Sequence, residues 1–434
     1  MKRKILFHVL MGCLLPSATV HAQNRMTIDE LFSLVETGSK SLQSNKLSIE
    51  TATKSIEAAK SQRLPEIGAS LSVSYNGNVL MTDRDFSNAK GFSQPHLGNS
   101  FALEAQQAIY TGGALSAGIK LAELQKQQAQ TQVEQTRNDM RILALGQYLD
   151  LYKMDNSVKV YKQNIALTEK LIADIKAKQS EGMALKNDVT RYELQLETLR
   201  LGLRKIQDQQ KIASHQLCHT LGINEQTILP DTTLISKTYG REGEQAWQDK
   251  ATISSPIIKQ SIIGTQLAEQ QLRLAKSETR PKVGIFAVDN FNGPFIYDIP
   301  PIDKNINVWS IGIGVKYSLS SLYKSNKNIR RSEVLLRQSK ENQAVAAEQV
   351  DNQVQQAHTL YEQAYVNLET QQKSTLLARQ NYQVVNDRYL NQLALVTDMI
   401  DASNIKINAE LQEVDARINI VYAYYKMKYL AGEI

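Results

Sequence analysis

The chain carries the same plan twice, and an internal repeat of this length constrains the architecture before any single residue is interpreted. An arginine and a proline precede an alternating stretch at residues 63–65 and again at residues 280–281. Each alternating stretch leads into a very long segment with the composition of a helix, and each long segment is interrupted by a turn. The sequence therefore predicts a strand–helix–helix unit that is used two times.

The two turns share a pattern of small and apolar residues. They cover residues 182–188 and 391–398, and pairing Asp188 with Asp398 keeps that pattern in register. The predicted organisation is a first repeat at residues 23–228 and a second at residues 229–434, with strands near residues 67–76, 100–111, 283–291 and 306–319.

Residues 1–22 have the features of a secretory signal peptide. Three cations among the first four residues precede an apolar run, and Val20-His21-Ala22 ends in a small residue that suits cleavage. The segment around Cys13 also resembles a lipoprotein cleavage box, so acylation of Cys13 is the alternative. Either interpretation predicts export.

Charge and composition exclude several classes of protein. The formal net charge of +6 falls to about +3 without the three cations of the signal, which is too little to favour nucleic acid. Cys218 is the single cysteine of the mature chain, so no intrachain disulfide is expected. No apolar run of about 20 residues follows the signal, so no transmembrane helix is expected.

The sequence contains no recognisable catalytic arrangement, such as a glycine-rich phosphate loop or a nucleophile elbow. His215, Cys218 and His219 could share part of a helical face, but no fourth ligand is identified. These three residues are interpreted as packing or surface positions. We therefore expect no enzyme activity, no cofactor and no metal site.

The distribution of proline locates the helices. No proline lies between Pro95 and Pro230 or after Pro301, and these stretches are rich in strong helix formers. Helices are predicted at about residues 115–179 and 326–390, the second roughly 100 Å long at about 1.5 Å per residue. Such lengths suit helices packed side by side into a wall, although a soluble coiled-coil rod would show similar periodicity.

The strands carry the signal of a membrane barrel, because apolar residues alternate with small or polar ones. A soluble sandwich strand would also alternate, so a single strand does not decide between them. Four strands per chain cannot close a wide pore, and an open sheet edge is not tolerated in lipid, so several chains would share one barrel. The residues predicted to face lipid are Leu71, Val73, Trp309, Ile311, Ile313, Val315 and Tyr317.

Together these features resemble the TolC family of outer-membrane efflux proteins across essentially the whole mature chain. Matching segments are the turn at residues 109–113, Leu322-Tyr323 at the corresponding place in the second repeat, Arg388-Tyr389, and residues 393–402. The resemblance implies a mainly α fold with a β-barrel part. It implies a homotrimer in which twelve strands form one outer-membrane barrel and twelve helices form a periplasmic tube.

The resemblance also implies a function. Such proteins are passive exit ducts in the outer membrane, extending into the periplasm and serving a tripartite efflux or secretion system. The implied partners are outer-membrane lipid, a periplasmic membrane-fusion adaptor and an inner-membrane transporter of the resistance-nodulation-division or ABC type. The alternative is a periplasmic coiled-coil adaptor or structural protein, which would be soluble and lack lipid-facing strands.

Three sets of site residues follow from the resemblance. Asp398 and Asp401 lie three residues apart and would form a pore aperture of carboxylates that favours cations. The alternative for Asp398 is a role near a helix N-terminus. Tyr389 and Asp188, with Asn187 as a weaker member, would latch the helix ends shut. The alternative for Asn187-Asp188 is capping of the next helix, and capping and latching are compatible.

The turn segments would contact the adaptor, since exposed apolar patches often mark partner contacts. Packing between neighbouring tips is the alternative. Two departures from the family pattern occur here. Gln392 stands where the family usually has glycine, and Ala394 stands where a basic residue is found in the closed gate. The predicted adaptor contacts are Gly182, Met183, Ala184, Leu185, Leu393, Ala394 and Leu395.

Overall fold

Long helices and shorter strands alternate along the chain, as the fold-class prediction requires. The computed structural model describes residues 25–225, 228, 230–231, 237, 239–296 and 301–434. The predicted signal peptide at residues 1–22 lies outside these described residues. The helices are α1 (Ile28–Gly38), α2 (Lys40–Ser61), α3 (Ala114–Ser180), α4 (Lys186–Leu221), α5 (Glu244–Ser254), α6 (Pro256–Ser277), α7 (Ser321–Leu390) and α8 (Val396–Leu430). The strands are β1 (Glu66–Tyr75), β2 (Val79–Met81), β3 (Lys90–Phe92), β4 (Leu97–Tyr110), β5 (Lys282–Gly293) and β6 (Ile306–Lys316).

The described residues fall into two compact units. The tip unit, as we call it, takes its residues from within Met1–Leu34, Ala144–Thr238 and Asn367–Tyr422, and it contains both turns. The sheet unit takes its residues from Val35–Leu143, Tyr239–Val366 and Ala423–Ile434, and it contains all the named strands. The boundary between the two sequence repeats, drawn at residues 228 and 229, remains a prediction.

Four strands of the sheet unit form an antiparallel sheet in the order β1-β4-β5-β6. The register brings Leu71 opposite Phe101, and Phe101 opposite Phe291, so one face collects apolar side chains. The alternation in β6 places Ile313 on that face, where 71% of its surface is exposed. Within the described part of the chain, β1 and β6 each pair on one side only and leave two open sheet edges.

The opposite face of the sheet carries mostly small or polar side chains, and one of its positions requires glycine. The ring of Phe286 lies over β6, and a Cβ atom at Gly312 would come 2.7 Å from the Cζ atom of Phe286. A side chain at position 312 would therefore displace this ring. Glycine leaves the room that the aromatic side chain occupies.

The two longest helices are close to the predicted ones, but the second begins earlier. Helix α3 has 67 residues and follows two glycines with positive φ, Gly112 at 70° and Gly113 at 95°. Helix α7 has 70 residues and starts at Ser321, so that Asn326, the predicted start, lies inside it. Among the described residues, none of the helices combines the length and the apolar character needed to cross a membrane.

Candidate functional site

The two turns of the tip unit have the same backbone conformation. Gly182 has φ of 76° and Gln392, at the equivalent position, has φ of 63°. The next amides, those of Met183 and Leu393, each donate to the carbonyl oxygen five residues earlier, at 2.8 Å in both turns. The sequence departure at Gln392 therefore leaves the turn intact and places a non-glycine residue in the left-handed region, which favours glycine.

Asp188 and Asp398 occupy matching positions in the first turns of α4 and α8. One carboxylate oxygen of Asp188 accepts the backbone N–H of Leu185 at 3.2 Å. The corresponding oxygen of Asp398 accepts the N–H of Leu395 at 2.9 Å. Both carboxylates therefore satisfy an amide that the helix leaves unpaired, and their charge is favourable at that end of the helix dipole. In the described residues the second oxygen of each carboxylate makes no hydrogen bond.

A hydrophobic cluster lies beside the two turns and holds them together. Met399 is fully buried in it, and the ring centroids of Tyr192 and Tyr389 are 6.4 Å apart. The cluster joins residues of α3, α4, α7 and α8, so its packing fixes one turn against the other. Its buried members are Leu171, Ile172, Ile175, Val189, Tyr192, Leu196, Tyr382, Val396, Met399 and Ala402.

The structure brings two of the three predicted latch residues close together. Burial raises the pKa of the Tyr389 phenol, and the nearby charge of Asp188 raises it further. The Nζ atom of Lys178 lies 5.5 Å from the centroid of the Tyr389 ring. Among the described residues, Asp188 and Tyr389 are not joined by a hydrogen bond, and Asn187 is exposed.

The predicted aperture residues are both exposed at the start of α8. Asp401 lines a hollow of about 330 Å³ that also includes Arg191 of α4. The side-chain amide of Gln195 closes one part of the hollow by donating to the Asn404 oxygen at 2.7 Å. The sequence patterns did not identify Arg191 as a site residue. Its position one helical turn after Asp188, on the same face of α4, could have indicated it.

The predicted adaptor contacts divide into outward and inward side chains. Leu185 and Leu393 are 70% and 75% exposed, and Met183 and Leu395 are exposed as well. Ala184 packs against the hydrophobic cluster instead. The tips therefore present leucine and methionine side chains to their surroundings.

Comparisons with known proteins agree with this geometry. Residues 31–223 match the family described as outer membrane efflux protein. The outer membrane efflux protein BepC of Brucella suis is 20% identical over 401 residues, which are 91% of this chain and 82% of BepC. A crystal structure of CusC shares the fold with a TM-score of 0.80 and 13% identity, covering 93% of this chain and 91% of CusC. The outer membrane protein VceC of Vibrio cholerae shares it with a TM-score of 0.75 and 14% identity, covering 93% and 96%.

The resemblance inferred from the two repeats is therefore confirmed, together with the mainly helical fold with its strands, the efflux function and the outer-membrane location. The barrel shared by three chains stays a prediction. The matched family is one of efflux channels rather than of enzymes. Over residues 31–223 this chain is similar to the outer membrane efflux protein family, and it is an efflux channel of the outer membrane with a TolC-like fold.

Proposed function

We propose that three copies of this chain form one continuous duct, through which solutes leave the cell after an inner-membrane transporter and a periplasmic adaptor have delivered them. The observation that carries this proposal is the four-stranded sheet, with its two open edges and its exposed apolar face. The open edges do not suit a chain that functions alone in the membrane, and the apolar face suits contact with lipid.

The open edges argue for a shared barrel. In the hydrocarbon core each backbone N–H and C=O group needs a partner within protein, so an edge strand must pair. The four strands alternate in direction, which means that β6 of one chain and β1 of the next can pair antiparallel. Three chains of four strands give twelve strands, an even number within the range of outer-membrane barrels.

The two faces of the sheet suit lipid and water. Trp309, Ile311 and Ile313 lie on the exposed apolar face, with Val315 next in the same row. The opposite face carries residues such as Ser310 beside the glycines of β6. A barrel closed in this way has an apolar exterior and a polar lumen, as a water-filled channel requires. Leu71, Val73 and Tyr317, also exposed, complete the predicted lipid-facing set.

Disulfide cross-linking tests the shared barrel directly. Cysteine would be placed in β1 at Gly68, Ser70 or Ser72, each combined with Ser310→Cys in β6, in a Cys218→Ser background. Within one chain β1 and β6 lie at opposite sheet edges, three strand spacings of about 4.8 Å apart, beyond the reach of a disulfide. Any bond between them therefore joins two chains.

The proposal predicts covalent species up to a trimer on non-reducing gels for the pairs in register. A pair of cysteines on the two non-adjacent strands β1 and β5, Ser72→Cys with Asn290→Cys, is the control and should remain monomeric. If the β1–β6 pairs also remained monomeric, although the chains were inserted in the membrane, this result would contradict a barrel closed by β1 and β6.

The periplasmic end would be a cation-favouring aperture. Asp398 and Asp401 are exposed in one helical turn, and three copies around an axis would give six carboxylates. Capping does not conflict with this role, because the cap uses one oxygen of Asp398 and leaves the other available. The same reasoning applies to Asp188, whose second oxygen could accept a hydrogen bond from the Tyr389 hydroxyl in a latched state.

The tips would be the contact surface for the adaptor. Exposed leucine and methionine side chains at Met183, Leu185, Leu393 and Leu395 gain free energy when they leave water. An amphipathic helical hairpin of an adaptor offers an apolar stripe of suitable width. This contact would align the duct with the transporter. The small side chains of Ala184 and Ala394 would add little width to the turns.

A further inference from the structure

A basic pocket lies in the sheet unit where β4 ends and α3 begins. Its volume is about 480 Å³. Four of the side chains that line it are cationic, namely Lys120, Arg273, Lys276 and Arg280, and the lining residues include no carboxylate. A concentration of positive charge in a concave site attracts anions.

Neighbouring carboxylates neutralise only part of this charge. Lys120 forms an ion pair with Glu123 at 3.2 Å. Lys276 approaches Glu333 only to 3.9 Å, with both side chains about half exposed. Arg273 forms no ion pair or hydrogen bond with any residue that the structure describes. The pocket therefore keeps a net positive charge and at least one guanidinium with all its donors available.

Gln270 supplies a second and independent observation. Its side chain lines the pocket and is only 7% exposed, yet it makes no hydrogen bond within the described part of the chain. The polar atoms of this amide are not completely sealed from the pocket, so they are available to a ligand. An oxygen-rich ligand in the pocket would provide the partner that the described residues do not supply.

The backbone adds to the same electrostatic field. Gly112 and Gly113 lead into the first turn of α3, whose dipole favours a negative group. The amides of Ala114 and Leu115 in this turn already donate to Thr111. A Cβ atom at Gly112 would come 2.7 Å from the carbonyl oxygen of Ser277, so glycine lets the end of α6 approach the start of α3. Arg280 fixes this contact by donating from Nη1 to the carbonyl oxygen of Gly112 at 3.2 Å.

We propose that this pocket binds a phosphate group carried by a phosphate ester. Two arginines offer planar forks that match phosphate oxygens, the lysines add point charges, and Gln270 donates from its amide. The ester is either the headgroup of an anionic phospholipid or a soluble phosphate ester. The lipid source rests on the proposed function, because it requires the pocket to lie at the membrane surface, immediately after the last residue of β4. The phosphate chemistry does not depend on it.

The test compares two probes with the detergent-purified full chain. Native mass spectrometry would follow binding of phosphatidylglycerol, with zwitterionic phosphatidylcholine as reference, and calorimetry would follow binding of glycerol 1-phosphate. The pocket variant is Arg273→Gln with Lys276→Gln. The matched control is Arg337→Gln with Lys340→Gln, which removes the same charge from exposed positions of α7 outside the pocket.

The expected result is binding of at least one phosphate probe that weakens about tenfold in the pocket variant and less than about twofold in the control. Gln270→Leu, which keeps the charge, should weaken it as well. Binding of phosphatidylglycerol alone identifies the membrane as the source, and binding of glycerol 1-phosphate alone identifies a soluble ester. Binding of neither probe, or an equal loss in both double variants, would overturn the proposal. Failure of the β1–β6 cross-link would leave glycerol 1-phosphate binding unaffected, which separates the two proposals.

Discussion

At the scale of single residues, Gln392 is the position where sequence and conformation disagree. Its φ of 63° matches that of Gly182 in the other turn, but a side chain makes the left-handed conformation less favourable by about 1–2 kcal/mol. The turn keeps its geometry because the surrounding hydrogen bonds and the buried cluster determine it. The strain is small enough to be tolerated at a helix end.

Gln392→Gly should therefore stabilise the second turn, by about 1 kcal/mol, because glycine adopts this φ without steric cost. The matched change in the first turn, Gly182→Ala, should destabilise it by a similar amount. Hydrogen exchange of the amides after each turn measures both effects locally. Faster exchange near residue 393 in Gln392→Gly would show that the turn is not strained.

Asp398 and Asp401 are expected to set the ionic preference of the channel. Asp398→Asn with Asp401→Asn should lower the preference for cations in planar bilayers and remove block by multivalent cations added on the periplasmic side, because six charges would leave the aperture. The control is Glu341→Gln with Asp351→Asn, two exposed carboxylates of α7. Equal ion selectivity of the wild type, the aspartate variant and the control would mean that the two aspartates do not set the selectivity, which would leave helix capping as their role.

At the scale of secondary-structure elements, the two faces of β6 are expected to differ in their tolerance of a charged side chain. Ile313→Arg should cost about 2–4 kcal/mol, because the new charge would enter the middle of the apolar band. Ser310→Arg, on the opposite face, should be tolerated because it would face water. Yields of folded protein after refolding into detergent or lipid measure the difference. Similar yields for the two variants would mean that the apolar face of β6 is not exposed to lipid.

Most elements of this fold can be predicted from the sequence because their patterns extend over many residues. The alternation of Trp309 to Val315 identifies β6, and the proline-free stretches identify α3 and α7. The start of α7 at Ser321 was missed because serines favour no helix on their own. The short strands β2 and β3 were missed because three residues are too few to show a period.

The sites could be predicted only in part from the sequence, because each of them combines residues that are distant in sequence. The repeat pairing of Asp188 with Asp398 predicted that both occupy the same position, and both accept an amide from a leucine three residues earlier. Arg191 beside Asp401, by contrast, depends on how α4 packs against α8. The unpaired amide of Gln270 depends on how α6 packs against α3. Packing of this kind leaves no local pattern in either helix.

At the scale of the whole molecule, the proposed latch predicts a change in conductance. Tyr389→Phe with Asp188→Asn removes the donor and the negative charge while keeping an oxygen that can cap α4. Loss of the bond in three chains should shift the population toward an open state and raise single-channel conductance. Tyr192→Phe is the control, since the Tyr192 hydroxyl is buried without a partner among the described residues. Unchanged conductance of inserted trimers would exclude the latch.

The proposed trimer would be embedded in the membrane, so the mass of the complex after extraction with detergent distinguishes it from a single soluble chain. Native mass spectrometry of protein purified from outer membranes should give a detergent-dependent particle with three times the mass of one processed chain. A protein that is released without detergent and has the mass of a single chain would exclude a membrane-embedded trimer.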